Sequence, residues 1–370
     1  MSISVTTVVR MRAAVVRTFG EGFTVEDIDI AQPVGREVRV EVRAAGLCHS
    51  DEIASRADMG YPAPVVLGHE LAGVVTAVGD EVRDLAVGDH VVGCLVQYCG
   101  ACRACATGRV TLCEHPEATL RGDRLTGADG TPLTQGMGLG SFAETALVHE
   151  NQLVKVPDAI PFPQAALLGC GVVTGAGAVL NTANVRPGET VAVIGVGGVG
   201  MNAISGGAIA GASRIIAVDV ADEKLESARG FGATDTVNST AVDAVAAVKE
   251  LTDGRGADYV FDFVGVPAVT RSGYDMLALG GGLYLIGAID PANSIELGSI
   301  ELLTGRKRVE GVLMGSTNPK RDIPMIAQLY LQGRYELDAL VSRTIALDEI
   351  DEGYAALRDP EVNRVVVTSF

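Results

Sequence analysis

The stretch from Val191 to Asp219 leaves this chain few folds to choose from. Four apolar residues, Val191-Ala192-Val193-Ile194, read as a buried parallel strand. Gly195-Val196-Gly197-Gly198-Val199-Gly200 follows at once, then a helix of small residues from Met201 to about Gly211. A second apolar run, Arg214 to Val218, ends at Asp219, 19 residues after Gly200. Strand, glycine turn, helix, strand and acid form one unit. Gly195 permits the tight turn, Gly197 lets backbone approach a pyrophosphate, and Gly200 lets the helix pack on the strand. The helix N-terminus offers free N–H groups and a positive dipole end. A carboxylate at Asp219 can accept both ribose hydroxyls of a dinucleotide and repels a 2′-phosphate, which favours NAD over NADP. In a chain with 46 glycines the fingerprint alone is weak, and a packing turn without ligand is its bland reading. The flanking strand, helix and acid lift it above that.

A length of 370 residues allows two domains with sizeable cores. The net charge of −17 argues against a nucleic-acid or anionic-membrane partner. Thr190 to Ser213 is uncharged and long enough to span a membrane, but its seven glycines and its match to the nucleotide unit exclude that reading. The start, MSISVTTVVR, lacks a secretory h-region. The expected location is the cytoplasm.

Before the nucleotide unit the pattern is different. Residues 11 to 45 and 64 to 93 alternate apolar and polar positions, with turns at Gly79-Asp80 and Gly88-Asp89. They predict a β-rich domain shaped as a partly open barrel. From about 172 strands alternate with helices. Strands are predicted near 191–195, 214–219, 235–238, 258–263, 282–288 and 307–313, and helices near 175–184, 198–211, 221–229, 241–252 and 267–278. The fold class is α/β, a doubly wound parallel sheet beside the β-rich domain. The expected domains are 1–171, 172–313, and 314–370 returning to the first.

Seven cysteines in a reducing compartment point to ligands before disulfides. Cys99, Cys102, Cys105 and Cys113 are spaced C-x2-C-x2-C-x7-C. Four thiolates in one loop suit a closed tetrahedral zinc site with a structural role. The opening spacing also occurs in iron–sulfur ligation, but the C-x3-C-P ending is missing. Cys94 falls outside the spacing and reads as a buried thiol. Cys48 lies in Gly46-Leu47-Cys48-His49-Ser50-Asp51, Cys170 in Gly169-Cys170-Gly171, and between them stands Gly68-His69-Glu70-Leu71-Ala72-Gly73. Two cysteines and a histidine with one open position make a catalytic zinc set. Taken singly, each is as readily a core residue.

Gly68-His69-Glu70-x2-Gly73-x5-Gly79-x2-Val82, the four-cysteine lobe, Gly169-Cys170-Gly171 and the cofactor unit occur in the order found in the zinc-dependent medium-chain alcohol dehydrogenases. The chain resembles that family from about residue 11 to the end, in the longer-lobe type related to class III and bacterial members. The resemblance implies a GroES-like catalytic domain, a Rossmann domain, nicotinamide and zinc in the cleft between them, and a homodimer or homotetramer. It implies two zinc ions per chain. Cys48, His69 and Cys170 would hold the catalytic one, with Glu70 a carboxylate able to approach it. Ser50 would take the alcohol proton. Thr174 and Val199 would press on the nicotinamide, Asp219 and Lys224 would hold the ribose, and Arg364 would meet the pyrophosphate, with His49 a candidate for phosphate. His90, His115 and His149 match no motif.

Two departures qualify the resemblance. Family members of the horse-liver type end a proton relay at a histidine three residues after the serine, and Ile53 stands there. Polyol-oxidising relatives commonly carry glutamate in place of Cys170, so that branch is disfavoured. The expected function is reversible hydride transfer between a primary or secondary alcohol and NAD. The alternative is a formaldehyde dehydrogenase acting on a glutathione or mycothiol adduct, whose carboxylate Arg121 or Arg124 would hold. A non-catalytic zinc or nucleotide-binding protein is a more distant third. The segment 114–141 is expected near the substrate entrance, and Ile53, Met59, Tyr61, Leu95, Leu120 and Met314 around the pocket.

Overall fold

A computed structural model of the chain describes residues 8–287 and 294–370. The first seven residues, and Ala288 at the end of the strand expected over 282–288, lie outside the described residues. The chain divides into two compact units. One comprises the residues up to Cys170 together with Asn318–Phe370, and the other comprises Gly171–Thr317.

The first unit holds two β-structures. Val9–Val16, Thr24–Ile30, Leu125–Gly127, Pro132–Gln135 and Val65–Val66 close into a barrel. The alternation read from the sequence puts Met11, Ala13, Val15, Ile28, Ile30, Leu125 and Leu133 into its interior. The barrel is closed and not partly open as expected, because the 114–141 segment supplies two of the staves. Those residues were expected at a substrate entrance, yet Leu125–Gln135 is built into the barrel wall.

The second sheet is organised on Glu37–Gly46, which pairs antiparallel with Glu70–Val78, with Thr145–His149 and with the C-terminal strand Arg364–Ser369. The pairing Gly46↔Glu70 brings the Cys48 and His69 segments together at one strand end. A Cβ on Gly46 would lie 2.1 Å from Glu70 Oε2, so only glycine fits opposite that carboxylate.

The second unit is a six-stranded parallel sheet. Its order is Asp235–Asn238, Arg214–Asp219, Thr190–Ile194, Ala257–Asp262, Leu277–Leu285 and Arg308–Gly311. Numbered along the chain this is 3-2-1-4-5-6, with the order reversing beside Thr190–Ile194, where dinucleotides bind in such sheets. Gly195 adopts φ +84, and a Cβ on Gly200 would lie 2.1 Å from Gly195 O. The helix Gly198–Ala210 starts inside the glycine run and ends at left-handed Gly211. Thr190–Ser213 is therefore strand, turn and helix.

One helical region differs from expectation. It was predicted near 175–184 but runs from Phe162 to Ala183, with π-helical turns at Leu168–Val172 and Ala178–Ala183. The glycines around Cys170 and the β-branched Val172-Val173-Thr174 obscure it in sequence. This run is long and apolar enough to cross a membrane, but 83% of its apolar window is buried inside the protein. The helix expected over 267–278 stops at Asp275, because Leu277 already pairs with Ala257.

Candidate active site and metal centres

Among the described residues two groups of side chains could hold a metal ion, both in the first unit. Cys48, His69, Glu70 and Cys170 bring their ligand atoms within 4.8 Å of one another, all buried. Cys48 ends the loop after Glu37–Gly46 and precedes the short helix His49–Ala54. His69 immediately precedes the strand Glu70–Val78, Glu70 opens it, and Cys170 lies in the π-turn of the long helical run. His69 Nε2 is 3.2 Å from Cys170 Sγ.

Asp51 completes the group, and sequence reasoning missed it. It is buried, its Oδ2 lies 2.8 Å from His69 Nδ1, and its Oδ1 accepts the Gly68 N–H at 3.0 Å. A proton held on Nδ1 leaves the Nε2 lone pair facing the cysteines and raises its basicity. Burial is the largest single influence and lowers the His69 pKa, but the charges and hydrogen bonds of Asp51 and Cys48 together outweigh it and the pKa is well raised. The available signal was a carboxylate three residues after Cys48.

Glu70 is fully buried. Burial pushes its carboxyl up to about 7 against the pull of Arg364, which donates from Nη2 to Oε1 at 2.8 Å. Arg364 was expected on the pyrophosphate. It is 5% exposed, and its guanidinium is committed to Glu70 and to Leu47 O at 3.3 Å.

The donor set fits a divalent zinc ion: two thiols, an imidazole oriented from behind, and a carboxylate held in reserve. The two sulfurs compete for one proton, with Cys48 acidified chiefly by its hydrogen bond to Cys170 and Cys170 raised by the same bond. Such a donor set attracts a cation.

Cys99, Cys102, Cys105 and Cys113 form the second group. Backbone amides point at the sulfurs: Cys99 N to Cys113 Sγ at 3.2 Å, Cys102 N to Cys99 Sγ at 3.3 Å, and His115 N to Cys113 Sγ at 3.3 Å. The N–H groups of Cys105 and Glu114 hold the Cys102 thiol down at about 6. Amides stabilise thiolates, so this loop fits a four-thiolate metal site. Cys94 belongs to neither group, and burial pushes its thiol up to about 12.

Ser50 and His49 are exposed, and Ser50 Oγ lies 3.7 Å from Cys48 Sγ. Ile53 is exposed on the same short helix. Arg121 and Arg124, considered for a thiol's carboxylate, already donate through their Nη atoms within the chain, while the Nε of each has no partner. Arg124 Nη2 donates to Glu37 Oε2 and Gln32 O, both at 2.6 Å, and Arg121 donates to Leu147 O and Gly138 O. Of the unassigned histidines, His149 is buried and accepts the Asn151 N–H, His90 lies against the Phe162 ring, and His115 is exposed.

In the second unit the glycine turn fits a dinucleotide. Nothing lies within 4 Å of a Cβ built on Gly197, so its backbone faces open space. Asp219 Oδ2 accepts the Val196 N–H at 2.8 Å, and Oδ1 accepts Val220 N at 2.7 Å, so the acid also braces the turn. A cavity of about 200 Å³ at the strand ends is lined by Ile194, Val218, Val242, Val269 and Met276. Val220, just after the acid, is exposed, and no arginine occurs between Asp219 and Lys224. Thr174 Oγ1 donates to Met314 Sδ at 3.5 Å.

Residues 35–158 match the alcohol dehydrogenase GroES-like domain, and residues 198–331 match the zinc-binding dehydrogenase domain. The NDMA-dependent alcohol dehydrogenase of Amycolatopsis methanolica is 38% identical over 366 residues, spanning 97% of this chain and 98% of that protein. The chain belongs to the zinc-dependent medium-chain alcohol dehydrogenase family. The S-(hydroxymethyl)glutathione dehydrogenase of Paracoccus denitrificans is 36% identical over 373 residues, spanning 97% of this chain and 99% of that one. The crystal structure of benzyl alcohol dehydrogenase from Acinetobacter calcoaceticus matches with a TM-score of 0.91 and 36% identity, covering 98% of this chain and 100% of that one. This dehydrogenase is an oxidoreductase that uses zinc and NAD on a small alcohol or aldehyde.

Proposed function

We propose that the first unit is the catalytic domain and the second the NAD domain, and that Cys48, His69 and Cys170 hold the catalytic zinc. The observation that carries this reading is the buried convergence of those three ligands with Asp51 behind His69 and Ser50 beside Cys48. When bound, zinc supplies Lewis acidity toward an alcohol oxygen and NAD supplies the hydride acceptor. The chain's own residues do the rest. Asp51 orients His69, and Arg364 balances the charge of Glu70. Ser50 Oγ accepts the proton of the substrate hydroxyl. Ile53 has no lone pair to pass it along, so exposed Ser50 hands it to water. Cys99, Cys102, Cys105 and Cys113 hold a structural zinc. Gly195, Gly197, Gly198, Val199 and Gly200 cradle the pyrophosphate, Asp219 and Lys224 take the adenosine ribose, the apolar cavity takes the adenine, and Thr174 faces the nicotinamide. NAD is favoured over NADP because Asp219 is followed by Val220 and no nearby arginine.

Primary or secondary alcohols are the proposed substrates. The thiol-adduct reading is less favoured, since the Nη donors of Arg121 and Arg124 go mostly to groups of the chain itself, although the Nε of each has no partner. The strand Arg308–Gly311 ends the parallel sheet, with Ile300, Leu303 and Leu313 exposed nearby in sequence, which supports a homodimer or homotetramer. The test is NADH formation by purified protein of measured zinc content across a panel of aliphatic and aromatic alcohols. Formaldehyde is run with and without glutathione or mycothiol. Turnover of formaldehyde only in the presence of thiol, and of no free alcohol, would overturn the substrate proposal.

A further inference from the structure

The Arg121-Gly122-Asp123-Arg124 run plays no part in the chemistry above, yet Arg121 is a demanding side chain to keep. Burial pushes its guanidinium down to about 10, so it remains charged at neutral pH. Its hydrogen bonds go to neutral groups, with no carboxylate in ion-pair distance among the described residues. A half-buried cation of this kind is accounted for by the donors it supplies.

Those donors tie the loop 136–140 to the strand Thr145–His149, directly at Gly138 and Leu147 and indirectly through Gln135. Arg121 Nη1 donates to Leu147 O, and Nη2 to Gly138 O at 2.8 Å and Gln135 Oε1 at 3.3 Å. Gln135 Nε2 donates to Leu139 O at 2.8 Å and to Leu147 O at 2.9 Å. Gln152 Nε2 donates to Met137 O at 3.0 Å. In the loop 136–140, Met137, Gly138 and Gly140 adopt φ +52, +70 and +56. Consecutive left-handed residues cannot direct their carbonyls into a ladder, so side chains must satisfy them.

The next two residues carry that geometry to the metal centre. Ser141 N donates to Gly68 O at 3.0 Å, and Phe142 N to Leu67 O at 3.1 Å, immediately before His69. The junction has no slack. Gly68 adopts φ +94, and a Cβ there would lie 2.4 Å from Ser141 Oγ and 2.8 Å from Phe142 N. Leu67, Leu139 and Phe142 are fully buried, so displacement of the loop moves the peptide that precedes the ligand.

We propose that Arg121 is a positioning residue of the metal centre, gripping the 136–142 loop and through it aiming His69. This rests on the reading that Cys48, His69 and Cys170 hold zinc. Loss of an outer partner of a metal ligand commonly weakens binding 10- to 100-fold, and a residue one step further out should act near the lower end.

The test is release of zinc to a chromogenic chelator, followed in wild type, Arg121→Gln, Gln135→Met, Cys170→Ser and Leu133→Ala. The phase missing from Cys170→Ser identifies the catalytic ion. Leu133→Ala removes a buried barrel residue that makes none of the loop's hydrogen bonds and controls for general loss of stability. Arg121→Gln is expected to accelerate the catalytic phase roughly 10-fold and Gln135→Met by less. Both should leave the four-cysteine phase unchanged, and Leu133→Ala should leave both phases unchanged. Should Arg121→Gln not fold, Gln135→Met carries the comparison. Wild-type release in both loop variants, or equal acceleration by Leu133→Ala, would overturn the proposal. A wild type indistinguishable from Cys170→Ser would overturn the zinc assignment itself.

Discussion

Replacing Asp51 with asparagine separates the orientation of His69 from its mere presence. The carboxamide oxygen of the Asp51→Asn variant can still accept the Gly68 N–H that Asp51 Oδ1 takes at 3.0 Å. At the other position its NH₂ would face His69 Nδ1, which lies 2.8 Å from Oδ2. Two donors cannot face each other, so the imidazole must place its proton on Nε2, the nitrogen 3.2 Å from Cys170 Sγ. Binding zinc then requires restoring the disfavoured tautomer without a carboxylate behind it. Removal of such a partner costs about 10- to 100-fold in metal affinity, or roughly 1.4–2.7 kcal/mol. Because Asp51 is fully buried, solvent cannot replace the lost bond and the upper half of the range is expected. The assay is competition for zinc with a chelator of known affinity, with Cys105→Ser used to recognise the structural ion. Asp51→Asn should weaken one site of two and leave the fold intact. Unchanged affinity at the catalytic site would refute the orientation argument, and equal weakening of both sites would show a general loss of structure instead.

The other substitutions divide the roles of the two units. Cys105→Ser should remove one zinc and lower Tm by roughly 5–10 °C, whereas Cys170→Ser should abolish turnover with Tm little changed; calorimetry and metal analysis check both. Ser50→Ala should cut turnover by a factor on the order of 10², the low end of the proton-transfer range because water reaches the site. Ile53→His should add a titration near neutrality to its pH profile. Asp219→Gly should weaken NAD binding and narrow the preference over NADP, read as the ratio of kcat/KM values, and a part of the loss will come from freeing Val196 N. Burial and the Arg36 and Arg121 charges hold His149 at about 4 against 6.5 unfolded. The folded chain therefore binds fewer protons in that window, and stability present above pH 6.5 falls as pH drops through 4. Denaturant midpoints of wild type and His149→Gln from pH 7 to 4 should show the smaller fall in the variant.

How much of this was legible in the sequence depended on whether the signal was local. The parallel sheet was readable because its central strands, Arg214–Asp219, Thr190–Ile194 and Ala257–Asp262, are largely apolar runs and the glycines occupy positions where backbone must approach backbone. The Gly195–Gly200 pair is one example: a single Cβ at Gly200 would collide with Gly195 O at 2.1 Å. The candidate metal groups were readable because zinc chemistry restricts residue types, although Cys48, His69 and Cys170 become one cluster only through the strand pairing Gly46↔Glu70 and a helix that sequence placed too late. The partners behind the ligands were not readable. Asp51 is one carboxylate among 46 acidic residues, and only burial beside Nδ1 distinguishes it.

Arg121 and Arg364 show the same limit from the opposite side. Exposed arginines beside a pocket and a C-terminal arginine on a phosphate are reasonable guesses, because a guanidinium's reach of several ångströms leaves its partner undetermined in sequence. In the fold both turn inward, Arg364 to Glu70 and Arg121 to Gln135, Gly138 and Leu147, and each supports a ligand segment that it does not itself join. In the proposed site the ligands are thus set by residue type, whereas long-range hydrogen bonds between segments as distant as Glu70 and Arg364 would set their aim. Variation among relatives at those outer partners should tune metal retention and pH response without altering the ligand motif.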